Sequence, residues 1–188
     1  IETSPVTLAD RNAERAMRQL IQETYPAHGV IGEEEESHQP DAEYVWVLDP
    51  IDGTKSFITG KPLFTTLIGL CRKGVPVVGV IDQCVLDERW VGTVGVGTTL
   101  NGAPVSTDAA ATSLSSAMLY ATTPHMFAPG VESERFAAVR DAVKRPLYGC
   151  DGYAYGLLAA GFGTHLVVEA DLGVYDYAAL VPASGGAG

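Results

Sequence analysis

The sequence predicts a mixed α/β protein, with an antiparallel sheet in its first part and alternating strands and helices in its second. Apolar segments over 63–72 and 75–82 flank Lys73-Gly74, a pair that favours the tight turn of an antiparallel hairpin. Beyond residue 110, short apolar segments and helical patterns alternate, which is typical of an α/β arrangement. We therefore predict an N-terminal α+β lobe over 1–110 and a C-terminal α/β lobe over 111–188, together forming one compact unit.

The first helix is predicted from Thr7 to Tyr25, where apolar residues recur at roughly helical spacing. Thr7 and Asp10 fit a capping box at its start, and Pro26 ends it. The remaining elements are predicted from short apolar or helical patterns: strands over 30–32, 44–48, 88–91, 118–121 and 165–169, and helices over 134–144, 153–160 and 176–181. The tail over 182–188 is rich in Gly, Ala and Ser, and we expect it to be frayed.

The composition favours a globular protein that does not bind polyanions. Of the 188 residues, 46% are hydrophobic, which is enough for a substantial core. The 23 acidic and 12 basic residues give a net charge of −11 without a Lys/Arg cluster, so we expect no nucleic-acid or membrane partner. No apolar run reaches the roughly 18 residues of a membrane span. Three scattered cysteines fit free thiols, and we expect a cytoplasmic location.

The strongest local signal for chemistry is Asp49-Pro-Ile-Asp52-Gly-Thr54, which follows a predicted buried strand. Two carboxylates this close repel one another, and they stay charged together when a cation lies between them. Gly53 allows a ligand to approach the backbone, and the amides of Gly53 and Thr54 fit an anion-binding turn. The motif therefore offers oxygen ligands for Mg²⁺ beside amides for a phosphate. An ordinary Asp-Pro-x-Asp-Gly turn stays open as the alternative.

Two other functions of such a motif are excluded by its spacing. An aspartyl-phosphate phosphatase needs Asp-x-Asp after its strand, whereas here the second Asp comes one residue later. An EF-hand needs alternating oxygen ligands, which Lys55-Ser56-Phe57 does not supply.

Other acidic residues lie at the ends of predicted elements. Glu33 directly follows the first predicted strand, whose end can fix its side chain. Glu169 ends a later strand, and Asp176 begins a helical run. Asp176 and Asp10 also fit plain helix-capping roles, so the local pattern leaves their function open.

Three motifs together resemble those of the inositol monophosphatase family, in the family's order and at its separations. They are Gly32-Glu33-Glu34, Trp46-Val-Leu-Asp49-Pro-Ile-Asp52-Gly-Thr54 and Tyr175-Asp176-Tyr-Ala-Ala. The resemblance covers almost the whole chain, and the stretch 48–66 most resembles the histidinol-phosphate phosphatase branch. The family has further segments before Thr3 and after the helix at Asp176, so we expect the chain to be incomplete at both ends.

The resemblance implies a layered αβαβα sugar-phosphatase fold, a homodimer, inhibition by Li⁺ and activation by Mg²⁺, with two or three ions per site. The implied metal ligands are four side chains and one main-chain carbonyl: Glu33, Asp49, Asp52, Asp176 and the carbonyl of Ile51. The implied catalytic residues, around the attacking water, are Glu33, Thr54 and Asp10. The implied substrate-binding residues are Gly53 and Thr54 for the phosphate, and Asp151, Gly152 and Glu169 for the organic part.

The function that the resemblance implies is hydrolysis of a small phosphorylated metabolite by direct attack of a metal-activated water. No Cys or Ser lies in a motif typical of a covalent nucleophile. L-histidinol phosphate, an intermediate of histidine biosynthesis, is the substrate that the branch resemblance favours. Inositol phosphates, sugar phosphates and a 3′-phosphonucleotide stay open as substrates, as does a protein that binds metal or phosphate without catalysis.

Overall fold

The computed structural model describes residues 7–188, which form two β-sheets with helices around them. The strands are β1 (Gly29–Gly32), β2 (Tyr44–Asp52), β3 (Thr65–Arg72), β4 (Val75–Gln83), β5 (Glu88–Thr93), β6 (Gly97–Leu100), β7 (Ala103–Val105), β8 (Met118–Ala121), β9 (Arg145–Tyr148) and β10 (Leu166–Val167). The α-helices are α1 (Leu8–Thr24), α2 (Thr54–Ile58), α3 (Val131–Ala142), α4 (Tyr153–Ala159), α5 (Val174–Tyr177) and α6 (Leu180–Gly185). None of the helices in this part of the chain combines the length and the apolar character that a membrane span requires.

The larger sheet contains β1 to β7 side by side in sequence order. β1 pairs with β2 in parallel, and the other neighbouring pairs in this sheet are antiparallel. β3 and β4 form a hairpin in which Lys73 and Gly74 have φ values of 52° and 78°. Two successive residues at positive φ make the tight turn that suits the twist of paired strands. The hairpin predicted from these two residues is therefore confirmed.

The smaller sheet, in the order β10-β8-β9, is parallel and packs against α3. The rings of Phe127 and Phe136 stack with 3.9 Å between centroids and pack with Leu119 of the central strand. β10 is shorter than the predicted strand 165–169. Its partner β8 ends at Ala121, so the residues beyond Val168 have no strand to pair with.

The helices cover the sheets in the layer order that the family resemblance implies. Leu67 and Ile68 are neighbours on β3, so they point to opposite faces of the larger sheet. Ile68 packs in the cluster that contains Ile21 of α1, whereas Leu67 packs with Tyr153 of α4 and Leu180 of α6. α4 also contacts β10, so the smaller sheet and then α3 follow. The predicted α/β class and its αβαβα layering are confirmed.

The C-terminal tail is helical and packed, so the expectation of a frayed segment over 182–188 is wrong. A Cβ atom on Gly79 would lie 1.9 Å from the carbonyl oxygen of Ala179, and one on Gly92 would lie 2.3 Å from that of Pro182. Ala183 is fully buried. The small residues therefore allow the backbone of α6 to lie directly on β4 and β5, whereas the sequence interpretation took them as a sign of weak packing.

The two sheets divide between Val105 and Met118, in the region of the predicted boundary at residue 110. α4 and α6 belong to the predicted C-terminal lobe, but they pack on the larger sheet and contribute to the cluster around the fully buried Trp90. Packing across the boundary joins the two halves, and the assignment of separate lobes stays a prediction.

Candidate metal centre

Asp49 and Asp52 lie on the same side of β2 because the strand contains one extra residue between them. Asp49 pairs with Leu67 of β3 and Asp52 pairs with Thr65, so three steps along β2 match two steps along β3. In a regular strand, residues three apart point to opposite faces, and a β-bulge reverses that alternation. Pro50 has no N–H group to donate to the neighbouring strand, which favours the irregularity at this position.

A third carboxylate comes from Asp176, at the third position of α5. Tyr175 and Ala178 pack against side chains of β2 and β3, which holds this short helix beside the acidic end of β2. Carboxylate oxygens of Asp176 and of both β2 acids all lie within 4.8 Å of one another. Asp176 also accepts a hydrogen bond from the N–H of Gly173 at 2.6 Å. The capping role and membership of the acidic cluster, which the sequence left as alternatives, therefore occur together.

Glu33 approaches the acidic cluster from the end of β1. Its N–H donates to the carbonyl of Leu48 at 3.2 Å, which ties the residue to β2. Burial and then the charge of Glu34 raise the pKa of Glu33 to about 7, although a hydrogen bond with Asp49 acts in the opposite direction. Glu33 therefore lies beside Asp49, at the edge of the cluster that the other three acids form.

The pKa of Asp52 lies far above the usual value of an aspartate. Burial, followed by the charge of Asp151, raises its pKa to about 8. Two hydrogen bonds oppose the shift because they favour the charged form: the hydroxyl of Thr65 donates at 2.8 Å, and the N–H of Gly152 donates at 2.6 Å. Gly152, predicted to bind substrate, thus contacts a predicted metal ligand.

Asp49 and Asp176 show the same effect, and Asp49 has an unpaired oxygen. Burial, followed by the charge of Asp52, raises the pKa of Asp49 well above its usual range, and burial also raises the pKa of Asp176. Within residues 7–188, the buried Oδ1 of Asp49 has no hydrogen-bond partner. Magnesium prefers oxygen ligands, and its charge would remove the repulsion between these acids. The donor set therefore fits Mg²⁺.

Gly53 and Thr54 form the turn that leads from β2 into α2. Gly53 has a φ of 80°, and a Cβ atom there would lie 2.8 Å from Oδ2 of Asp151, so both the conformation and the space favour glycine. The hydroxyl of Thr54 donates to the carbonyl of Ile51 at 3.1 Å. A carbonyl oxygen has two lone pairs, so Ile51 retains an acceptor position that a cation could use.

The cleft above this turn has a volume of about 170 Å³. The sequence-predicted residues that line it are Glu33, Asp49, Ile51, Asp52, Gly53, Thr54, Asp151 and Asp176. Lys55 and Thr122 also line it, and the sequence interpretation missed both. Lys55 directly follows the motif and brings positive charge to an acidic cleft, so its position carried a signal. Thr122 follows β8 and reaches the cleft only through the tertiary fold, so it carried none.

Glu169 does not line this cleft, but it contacts a residue that does. Its Oε1 accepts hydrogen bonds from the N–H and the hydroxyl of Thr122 at 3.1 and 2.5 Å. Its Oε2 accepts one from the hydroxyl of Tyr155 at 3.2 Å. These donors fix the orientation of the Glu169 carboxylate next to the cleft.

Asp10 is fully buried and does not line the cleft. It accepts a hydrogen bond from the N–H of Thr7 at 2.8 Å, and Thr7 in turn caps the start of α1, so the predicted capping box is confirmed. The charge of Asp10 nevertheless contributes to the raised pKa of Glu33, which places the two acids near one another. Its catalytic role stays a prediction.

Known proteins show the same fold and motifs. The sequence profile of the inositol monophosphatase family matches residues 2–188. A protein of Arabidopsis thaliana named bifunctional phosphatase IMPL2, chloroplastic, is 54% identical over 100% of this chain. The chain spans about half of that protein's length, 54%. A histidinol-phosphatase of Mycobacterium tuberculosis is 35% identical, over 95% of this chain and 70% of its own length.

A solved structure agrees with these sequence relatives. An inositol monophosphatase from Zymomonas mobilis superposes with a TM-score of 0.90 and 44% identity, over 100% of this chain and 71% of its own. The family profile, the two relatives and this structure all match across the segments that carry the acidic cluster. The chain therefore belongs to the inositol monophosphatase family.

Proposed function

We propose that the protein is a Mg²⁺-dependent phosphatase that hydrolyses L-histidinol phosphate to L-histidinol, a step of histidine biosynthesis. The observation that carries the phosphatase activity is the convergence of Asp49, Asp52 and Asp176 beside the Gly53-Thr54 turn. This arrangement puts oxygen ligands for a cation next to amides for a phosphate. The relatives that are named histidinol-phosphatases support the substrate.

Each part of the cleft has a task in this proposal. The residues that would hold two or three Mg²⁺ ions are Glu33, Asp49, Asp52, Asp176 and the carbonyl of Ile51. When bound, the metal supplies charge neutralisation and a lowered pKa for a bound water. The amides of Gly53 and Thr54 bind the phosphate, and the exposed ammonium of Lys55 adds positive charge at its entrance.

The chain's own groups orient the attacking water. Glu33 accepts a proton from the water as the general base. The hydroxyl of Thr54 orients the water, and Asp10 supports the two from the start of α1. The water oxygen then forms a bond to phosphorus as the ester P–O bond breaks, and the leaving oxygen takes up a proton from solvent water.

Glu169 recognises the organic half of the substrate. Histidinol phosphate carries an ammonium group, and a carboxylate held in one orientation can pair with it. Thr122 and Tyr155 hold the Glu169 carboxylate through three hydrogen bonds. Asp151, the other acid predicted to contact the organic part, lines the cleft itself. Inositol phosphates, sugar phosphates and 3′-phosphonucleotides are the alternative substrates, and relatives named inositol-1-monophosphatase favour the first of them.

The test is phosphate release from a panel of these esters, with and without Mg²⁺. We expect the highest kcat/KM on L-histidinol phosphate and no turnover in excess EDTA, with recovery when Mg²⁺ is restored. Substantial turnover in EDTA would reject the metal-dependent mechanism. A preference for inositol phosphate would replace the proposed substrate, and metal binding without turnover on any ester would favour a non-catalytic binding protein.

The assembly and the location are further parts of the proposal. We propose a homodimer, which light scattering of the purified protein tests. We propose a cytoplasmic location on the basis of the free thiols of Cys71 and Cys150, which are buried and fit a reducing compartment. The similar Arabidopsis protein is chloroplastic by name, and a fluorescent fusion would distinguish the two compartments.

A further inference from the structure

Glu14 and Arg18 form a buried ion pair on α1, one helical turn apart and outside the cleft. Nε of Arg18 lies 2.7 Å from Oε1 of Glu14, and the two side chains are 8% and 0% exposed. Removing two charges from water is unfavourable unless their remaining hydrogen-bonding groups also find partners. The partners of this pair are therefore informative about what the pair does.

The remaining partners are all main-chain groups of the segment that directly follows Glu33. Oε2 of Glu14 accepts a hydrogen bond from the N–H of Glu34 at 2.8 Å, and Oε1 accepts one from the N–H of Glu35 at 3.2 Å. Nη2 of Arg18 donates to the carbonyl of Glu35 at 3.0 Å. The ion pair thus holds three successive peptide units, whatever side chains they carry: Glu14 binds the first two and Arg18 binds the third.

Glu33 is fixed from its other side as well. Its own N–H donates to the carbonyl of Leu48 on β2, at 3.2 Å. Before it, Gly32 leaves the space that the ion pair occupies, because a Cβ atom on Gly32 would lie 2.0 Å from Oε1 of Glu14. The peptide units on both sides of Glu33 are therefore anchored, one on the sheet and one on α1.

We infer that Glu14 and Arg18 are positioning residues for Glu33, which hold its carboxylate at the edge of the acidic cluster. The inference rests on the proposed metal-dependent function, because it assigns the ion pair to metal affinity. Replacing a residue that orients a metal ligand without binding the metal itself typically lowers metal affinity or activity by 10- to 100-fold. An ion pair that served α1 alone would not bind a segment 17 to 21 residues away.

The test measures Mg²⁺ binding to the intact chain by calorimetry, without substrate. Glu14→Gln keeps the side-chain size but places an amide NH₂ against an N–H donor, so one of the two peptide units that Glu14 holds is released. We expect Mg²⁺ affinity to fall about tenfold. We expect the kcat of Glu14→Gln, measured on the substrate that the wild type prefers, to return close to the wild-type value at saturating Mg²⁺. A general loss of folded protein would not be restored in this way.

Arg15→Gln is the matched control. Arg15 lies on the same helix and contacts the same segment, but it pairs with the side chain of Glu35 at 2.5 Å and is 61% exposed. Exposed ion pairs contribute little, so Mg²⁺ affinity should stay within about twofold of the wild type. An equal loss of affinity in Arg15→Gln and Glu14→Gln would overturn the inference.

Hydrogen exchange keeps the inference testable if Glu14→Gln does not fold. The amides of Glu34 and Glu35 should be protected in the wild type, and Arg18→Lys, which removes the donor to the Glu35 carbonyl, should speed their exchange and weaken Mg²⁺ binding. Unprotected amides in the wild type, or unchanged Mg²⁺ affinity in a folded variant, would reject the inference. Neither readout needs turnover, so a wild type that hydrolyses no ester would reject the proposed function alone.

Discussion

Two regions at the cleft hold carboxylates in opposite ways, and we name them after their proposed roles: the acidic side is the cluster of Asp49, Asp52 and Asp176, and the organic side is Glu169 with its donors Thr122 and Tyr155. On the acidic side, Asp49, Asp52 and Asp176 face one another within 4.8 Å, and burial raises the pKa of each. On the organic side, the carboxylate of Glu169 accepts hydrogen bonds from Thr122 and Tyr155. The acidic side therefore has a repulsion between its carboxylates that a cation would relieve, whereas the carboxylate of the organic side is already oriented by hydrogen-bond donors and, in the proposed function, pairs with an ammonium group of the substrate.

We expect the largest loss of activity from Asp52→Asn, which changes the acidic side. It removes one ligand charge and keeps the side-chain size, so we expect activity to fall more than 100-fold at moderate Mg²⁺, because residues outside the metal's own ligands already account for 10- to 100-fold. Phosphate release measures the effect. Asp82→Asn is the control, since Asp82 lies on β4 of the same sheet in an ion pair with the exposed Arg89. Wild-type rates in Asp52→Asn would show that Asp52 binds no essential ion.

The organic side predicts a loss that depends on the substrate. Glu169→Gln removes the charge that pairs with an ammonium, a contact that contributes about 1.5–3 kcal/mol. We expect kcat/KM on histidinol phosphate to fall about ten- to a hundredfold, and kcat/KM on glycerol phosphate, which has no ammonium, to change much less. Both substrates are compared in wild type and variant. If kcat/KM falls equally on histidinol phosphate and on glycerol phosphate, Glu169 does not pair with the ammonium group.

The acidic side also predicts how stability depends on pH when metal is absent. The pKa values of Glu33 and Asp52 are about 7 and about 8 in the folded chain, whereas unfolded carboxyls titrate near pH 4. Between about pH 4 and pH 8 the folded state therefore binds more protons, so its stability falls as pH rises through this range.

Thermal unfolding in EDTA at pH 5 and pH 8 measures this effect. We expect a lower Tm at pH 8, by about 2–4 °C for each kcal/mol lost. Mg²⁺ should raise the Tm more at pH 8 than at pH 5, because it binds the deprotonated acids. The Asp52→Asn variant should show a weaker pH dependence in EDTA. A Tm that rises from pH 5 to pH 8 in EDTA would contradict the expected sign of the pH dependence.

The smallest effect is expected from Tyr155→Phe, which removes one donor to Glu169. A hydrogen bond of this kind contributes about 0.5–1.5 kcal/mol, so we expect KM for histidinol phosphate to rise about two- to tenfold with little change in kcat. Tyr153→Phe is the matched control on α4, since its hydroxyl donates to Glu88 at 2.7 Å, away from Glu169. A similar change in both variants would indicate a general loosening of α4.

The sequence predicts the acidic side far better than the organic side, for a physical reason. Asp49, Asp52, Gly53 and Thr54 are joined by a few peptide bonds, so one short motif specifies their relative positions. Thr122 and Glu169 are 47 residues apart and meet only because β8 and β10 pair in parallel. Pairing over such a distance leaves no local pattern, and that is why Thr122 was missed.

The fold shows the same division between local and distant signals. The capping box at Thr7 and the turn at Lys73-Gly74 depend on adjacent residues, and both are confirmed. The tail over 182–188 depends on Gly79 and Gly92, about a hundred residues earlier, which make room for the backbone of α6. Small residues have the same composition in a frayed tail and in a tightly packed helix, so composition alone could not separate the two.

Because of the bulge at Pro50-Ile51, the number of residues between two acids that share a face shows whether the strand between them is regular or bulged. Acids an even number of steps apart share a face of an unbroken strand. Acids an odd number of steps apart share a face only where the alternation is interrupted once, as it is here. If Ile51 and the bulge were deleted together, the two acids would lie two steps apart on a regular strand and would keep the same face. A deletion between Tyr44 and Leu48 that left the bulge in place would shift the strand's earlier residues to the opposite face and leave the two acids together.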